Sequence, residues 1–136
     1  MQLVVDANIV FAVLIKRGFP FQMLLEASSK GFELYSPAWL EQELENGKGK
    51  LLRYSKLDES KLDFFIETIL GKVTVVPLNE YEKCLVEAQG IAPHPEDAPY
   101  FALALAKTCP IWSNEKAFKL QAKVKVLSTH ELTVMP

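Results

Sequence analysis

The sequence predicts an α/β fold, a three-layer α/β/α sandwich around a central parallel sheet of four or five strands, in a single domain spanning residues 1–136. Three observations carry this. Short β-branched apolar runs alternate with stretches of helical periodicity along most of the chain, the pattern of strand–helix–strand units. The first run, Leu3-Val4-Val5, has no polar alternation, as expected of a strand covered on both faces. No internal repeat, low-complexity tract or linker interrupts the alternation.

The first strand stops at Asp6, and Val10 to Ile15 then forms an apolar run too long for the same strand, which reads as a buried helix. Gly18 and Pro20 punctuate it, and Phe21, Leu24 and Leu25 suggest a second short helix ending near Lys30-Gly31. Phe32 to Tyr35 is a second strand. Ser36 and Pro37 have the residue types of an N-cap and first helical position, starting a third helix through Trp39, Leu40 and Leu44 that loosens at Gly47 and Gly49 and restarts toward Leu51, Leu52 and Tyr54. From Asp58 to Gly71, Leu62, Phe65, Ile66, Ile69 and Leu70 repeat at helical spacing between charged residues, giving an amphipathic helix. Val73 to Val76 is a strand. Tyr81, Leu85 and Ala88 give a helix ending at Gly90, followed by a bend rich in proline. Phe101 to Ala106 is apolar all round and reads as a buried helix, Ile111 to Ser113 as a strand, and a short helix from Glu115 and a strand over Val124 to Leu127 complete the chain.

At 136 residues the chain is long enough to bury most of its unfolded surface in one core. Hydrophobic residues make up 49% and charged residues 24%, a globular balance, and no apolar run approaches the ~20 residues needed to span a bilayer. The absence of a basic n-region or cleavage site at the N-terminus gives the expectation of a cytoplasmic protein without a signal peptide. Cys84 and Cys109 are too few for a disulfide framework, lack metal-ligand spacing, and read as core thiols within helical patterns. A net charge of −2 excludes a surface that binds nucleic acid all over, but leaves room for a local basic rim from Lys48, Lys50, Arg53 and Lys56 or from Lys116, Lys119, Lys123 and Lys125. Both segments are also accounted for as solvated surface.

Four acidic residues fall where such a sheet would gather them: Asp6 after the first strand, Glu43 in the helix after the second, Asp97 at the opening of the buried helix and Glu115 after the Trp112-Ser113 strand. In open α/β sheets ligands bind beyond the strand carboxyl ends. Carboxylates brought together there repel one another unless protons or cations intervene, and hard oxygen donors without Cys or His point to Mg²⁺ or Mn²⁺ and a phosphodiester substrate. Each residue also has a structural reading on its own: Asp6 and Asp97 as helix caps, Glu43 as a solvated helical face beside Glu41 and Glu45, and Glu115 as a charge at a helix N-terminus.

The stretches VVDANI, SPAWLEQEL, PEDAPYFALALA and IWSNEKAF occur in the order and style of the PIN-domain family, and the chain resembles its VapC-like toxin ribonucleases over nearly its whole length. The first and third stretches are the more specific. The resemblance implies metal-binding carboxylates at Asp6, Glu43 and Asp97, with Asn8 at a small polar position and Ser113 and Asn114 as positioning groups. The fourth acidic position departs from the pattern, because Glu115 stands where relatives carry an Asp after Ser-Asn. Its extra methylene puts a second metal ion in doubt more than the first.

The expectation is a Mg²⁺- or Mn²⁺-dependent endoribonuclease, the toxin of a type II toxin–antitoxin pair, with Asp6, Glu43, Asp97 and Glu115 as catalytic and metal-binding residues and Lys116 and Lys119 on the RNA backbone. An antitoxin partner and a homodimer follow from the resemblance. Phe21, Trp39, Leu52 and Phe64, which exceed what one helical face can bury, predict an exposed apolar patch. Two other readings compete. A haloacid-dehalogenase-like phosphatase also opens with a strand ending in Asp, but needs a second Asp where this chain has Asn8, and a non-catalytic PIN-like binding module is kept open by Glu115.

Overall fold

The computed structural model describes residues 1–135, so the last residue of the expected domain, Pro136, lies outside them. Five strands, β1 (Gln2–Val5), β2 (Glu33–Pro37), β3 (Thr74–Val76), β4 (Ile111–Trp112) and β5 (Val126–Leu127), form one parallel sheet in the order β3-β2-β1-β4-β5. Between β1 and β2 lie α1 (Ala7–Lys16) and α2 (Gly18–Ser29), and between β2 and β3 lie α3 (Trp39–Asn46), α4 (Lys48–Ser55) and α5 (Glu59–Leu70). These two crossovers step the same way along the sheet, so their right-handedness puts all five helices on one face. The crossover from β3 to β4 steps back over the sheet and places α6 (Leu85–Ile91) and α7 (Ala98–Lys107) on the other face, where α7 packs across β1, β2 and β4. The expected three-layer sandwich is therefore the observed one.

Leu3, Val4 and Val5 are fully buried, as a strand central to a two-faced sheet requires, and pair in register with Leu34, Ile111 and Trp112. On the α6–α7 face, Tyr100, Phe101 and Leu103 fill the core, and the Phe101 and Phe118 rings lie 5.0 Å apart. The α5 helix starts as its sequence signals, with the Asp58 carboxylate accepting the Lys61 amide at 2.8 Å.

Several expectations are corrected. Ser36 and Pro37 do not start a helix; they end β2, where the Ser36 hydroxyl donates to the Val5 carbonyl at 2.7 Å, and α3 begins only at Trp39. Pro37 has no amide to donate and is tolerated because it ends the strand, the next amide, of Ala38, donating to the Val76 carbonyl at 2.8 Å. Tyr81 lies between two 3₁₀ turns, Leu78–Glu80 and Glu82–Cys84, ahead of α6. Cys84 belongs to such a turn and Cys109 to the loop after α7, and both are half-buried rather than core thiols. The last turn of α7 emerges from the core at Leu105 and Ala106. The segment after Glu115 is a 3₁₀ turn, Lys116–Leu120, and β5 is confined to Val126–Leu127. A further helix follows, α8 (Thr129–Thr133), closed by a reciprocal capping box between Ser128 and Glu131. Of the four residues expected to form an apolar patch, Phe21, Trp39 and Leu52 pack partly against the core and only Phe64 stands free at 73% exposure.

One contact at the α3–α4 junction depends on glycine. A Cβ on Gly47 would lie 2.7 Å from two carbons of the Phe11 ring, so only a residue without one lets that ring lie across the junction.

Candidate active site

The strand order reverses at β1, with β2 on one side and β4 on the other, and the crevice beyond their carboxyl ends is the switch point where α/β sheets bind ligands. Asp6 follows β1 directly and Ser113 follows β4, and the Ser113 hydroxyl donates to Asp6 Oδ2 at 2.8 Å. The same hydroxyl oxygen accepts the Glu115 amide at 3.0 Å, fixing the turn that carries Glu115. Asn8, in the first turn of α1, donates its side-chain amide to Glu115 Oε1 at 2.7 Å. Asp6 and Glu115 thus rise from adjacent strands, as the sequence predicts.

Glu43 comes from α3 and Tyr100 from α7, and the Tyr100 hydroxyl donates to Glu43 Oε1 at 2.6 Å. This bond joins the helices of the two faces over the end of the sheet. Asp97 ends a 3₁₀ turn, Pro95–Asp97, at the start of α7. A cavity of about 290 Å³ opens among these groups, with Asn8, Glu43, His94, Glu96, Asp97 and Glu115 on its walls. A larger cleft of about 480 Å³, lined by Thr108, Cys109 and Lys125, contains no carboxylate, so size alone does not mark the chemistry.

The caps offered as alternatives for Asp6 and Asp97 are not formed, since each occupies an N-cap position without a side-chain capping bond. Asp6 is instead a buried carboxyl, 2% exposed, whose pKa is pushed up to about 7 mainly by loss of solvent. The Ser113 hydroxyl favours its charged form, while Asp97 and Glu43 oppose it. Burial also raises Glu43, against the pull of the Tyr100 hydroxyl, and raises Asp97, against the pull of His94. The Tyr100 hydroxyl is pushed up by burial and by Glu43, so it stays a proton donor.

The donor set is all oxygen, and a carboxyl raised to about 7 by burial, with Asp97 and Glu43 adding to the shift, is the electrostatic setting a hard divalent cation suits. Among the described residues no three His, Cys, Asp or Glu side chains stand as a group that could hold an ion. Glu43 and Glu115 are each engaged by a hydrogen bond instead, from Tyr100 and Asn8.

The other predicted residues fall outside this cluster of bonds. Asn114 Oδ1 accepts the Thr129 amide and so helps start α8, and the Lys119 ammonium pairs with Glu131 of α8. Lys116 is exposed next to Glu115. Sequence reasoning missed Tyr100, which it left just ahead of the buried helix without a role, and His94 and Glu96, hidden in the Pro-rich bend. The spacing of Tyr100 three residues after Asp97, on the same helical face, was the available signal.

Comparison with known proteins agrees with this architecture. VapBC2 from Rickettsia felis, solved bound to a DNA fragment from its promoter, superposes with a TM-score of 0.69 at 18% identity, over 94% of this chain and 98% of that one. PAE2754 from Pyrobaculum aerophilum gives 0.67 at 18% identity, over 98% of this chain and 88% of the other. FitAcB from Neisseria gonorrhoeae gives 0.67 at 16% identity, over 96% and 99%. No curated protein matches the sequence. The profile of the PIN domain matches residues 4–135, and the chain therefore belongs to the PIN-domain family.

Proposed function

We propose that the protein is a metal-dependent endoribonuclease and the toxin of a type II toxin–antitoxin pair. The single observation that carries the catalytic part is a crevice lined by Glu43, Asp97 and Glu115 next to the buried Asp6, whose carboxyl feels Asp97 and Glu43 and is raised to about 7. Asp6, Glu43 and Asp97 would hold Mg²⁺ or Mn²⁺, and Glu115 a second ion or a water. When bound, such an ion lowers the pKa of a coordinated water and neutralises charge on the phosphate undergoing in-line attack. Ser113 orients the Asp6 carboxylate, Tyr100 fixes one Glu43 oxygen, and Asn8 aims Glu115. Lys116, exposed beside Glu115, would meet the RNA backbone, whereas Lys119 would first have to release Glu131.

The toxin role draws on the fold shared with VapBC2 and FitAcB, and brings with it an antitoxin partner and a cytoplasmic location. No helix among the described residues is long and apolar enough to cross a membrane. Exposed Phe19, Tyr54 and Phe64 on α2, α4 and α5 support a homodimer. A second reading, a non-catalytic binding module, is favoured by one observation: among the described residues no acidic group stands ready to hold an ion.

End-labelled single-stranded and hairpin RNAs incubated with purified protein test the proposal. Cleavage with Mg²⁺ or Mn²⁺ that EDTA stops is expected. No cleavage of any substrate with Mn²⁺ gives the lead to the binding module, and cleavage that resists EDTA overturns the role of the metal.

A further inference from the structure

Beside the acidic cavity lies a second groove of about 360 Å³, between α1, α3 and the start of α4, which the proposed chemistry does not use. Asn8, Glu43 and Glu96 line both hollows, so the two adjoin. Its remaining wall differs in character. Phe11 and Trp39 supply aromatic surface, while Asn46 and Lys50 supply polar groups. Lys50 is exposed and makes no ion pair among the described residues, unlike Lys48, which is bound to Asp63 at 2.9 Å. Volume and lining match a site for a small planar molecule.

Two details show that the groove is built rather than left over. The Phe11 ring keeps its place only because residue 47 is glycine, whose missing Cβ leaves the space the ring occupies. The Trp39 indole Nε1 is, among the described residues, the buried side-chain polar atom without a hydrogen-bond partner. An unmet donor in a protein interior is costly.

We infer that this groove seats a nucleobase of the RNA next to the phosphate held at the carboxylates, stacked on Trp39 and Phe11, with Lys50 on the adjoining phosphate. The inference rests on the ribonuclease reading for the identity of the ligand. Aromatic faces accept bases of any kind, whereas Glu96 and Asn46 at the rim offer hydrogen-bonding groups to a base edge. Single-stranded RNA is the form that can present an unstacked base here, so a continuous duplex is a poor substrate.

The test reads binding without catalysis. The chain has two tryptophans, and Trp112 is buried with its Nε1 bonded to Thr129, so quenching by a stacked base reports on Trp39. In EDTA, a short single-stranded oligoribonucleotide should quench the emission saturably, and an abasic chain of equal length should bind roughly tenfold or more weakly. Trp39→Phe should abolish the quench. Trp39→Leu, and independently Gly47→Ala, which drives a Cβ into the Phe11 ring, should each weaken binding of the intact oligonucleotide, measured by anisotropy of a labelled 5′ end. Equal affinity for intact and abasic chains, or undiminished binding by both Trp39→Leu and Gly47→Ala, overturns the inference. Metal-dependent cleavage of RNA without any quench of Trp39 overturns it and leaves the ribonuclease reading standing. Quenching by the intact oligonucleotide without cleavage under any metal supports the groove and removes the catalytic reading. Failure to bind RNA at all removes both.

Discussion

The hydroxyl of Ser113 donates to Asp6 Oδ2 at 2.8 Å while its oxygen accepts the Glu115 amide at 3.0 Å, so one side chain ties together the carboxyl ends of the two strands that flank the switch point. Ser113 is fully enclosed, and its loss leaves both partners without a substitute. Outer partners that orient metal ligands are commonly worth 10- to 100-fold in affinity. Ser113→Ala is therefore expected to raise the Mg²⁺ concentration for half-maximal RNA cleavage by about 10- to 100-fold, with the fold retained by circular dichroism. An unchanged metal requirement would mean that Asp6 needs no such support.

Asp6 also sets an expected pH dependence of stability. Its carboxyl is raised from 3.8 to about 7, so the folded state binds the proton more tightly than the unfolded chain. The resulting stabilisation is fully present below about pH 4 and is lost as pH rises through about 7. Glu43 and Asp97, also raised, act with the same sign. Glu131, lowered to about 2 chiefly by Lys119, acts oppositely, but its contribution is lost only at pH well below 5. Metal-free protein should accordingly melt at a lower temperature at pH 8 than at pH 5. Asp6→Asn should flatten that slope and melt above wild type at pH 8, and Mg²⁺ should raise the wild-type melt there without raising the variant's. A capping Asp would give the opposite pattern, with no gain from Asn.

Tyr100 gives a separable test on Glu43. The bond between them favours the charged carboxylate. Tyr100→Phe should therefore raise the pKa of Glu43 and move the acidic limb of the pH–rate profile for RNA cleavage upward. An unmoved limb with reduced cleavage at all pH values would assign Tyr100 to packing alone.

Glu115 stands where the resemblance leads one to expect Asp, and its arm is engaged by Asn8 at 2.7 Å. Shortening it by one methylene restores the residue type expected at this position and frees the group from that bond. Glu115→Asp should lower the metal concentration for half-maximal cleavage severalfold. If wild type and Glu115→Asp are equally inactive on varied RNAs with Mn²⁺ present, the site is not a detuned nuclease.

Much of this arrangement was legible in the chain because it sits at boundaries. Leu3-Val4-Val5 ends on Asp6 and Ile111-Trp112 leads to Glu115, and a carboxylate at the end of an apolar strand is visible from periodicity alone. What escaped lay where one pattern has two physical outcomes. Ser36-Pro37 suits a helix start, yet its backbone continues the ladder beside β3, because pairing with Val75 and Val76 outweighs the local preference. Tyr100 lies just ahead of the expected buried helix, and only the fold shows its hydroxyl reaching α3. The capping box of α8, Ser128 with Glu131, was a readable signal in so short a segment. The groove of Phe11 and Trp39 was not readable, since it depends on residues from three helices and on a missing Cβ at Gly47.

The central claim is that Asp6 after β1, Glu43 in α3 and Asp97 before α7 act together on one divalent ion. Electron paramagnetic resonance of Mn²⁺ titrated into the protein measures this directly, because bound ion leaves the free hexaaquo signal. Wild type should take up Mn²⁺, and Asp6→Asn and Asp97→Asn should each weaken that uptake by at least about tenfold, while both variants keep the wild-type fold. A free-ion signal undiminished by wild-type protein into the millimolar range, or uptake by both variants equal to wild type, would contradict the account.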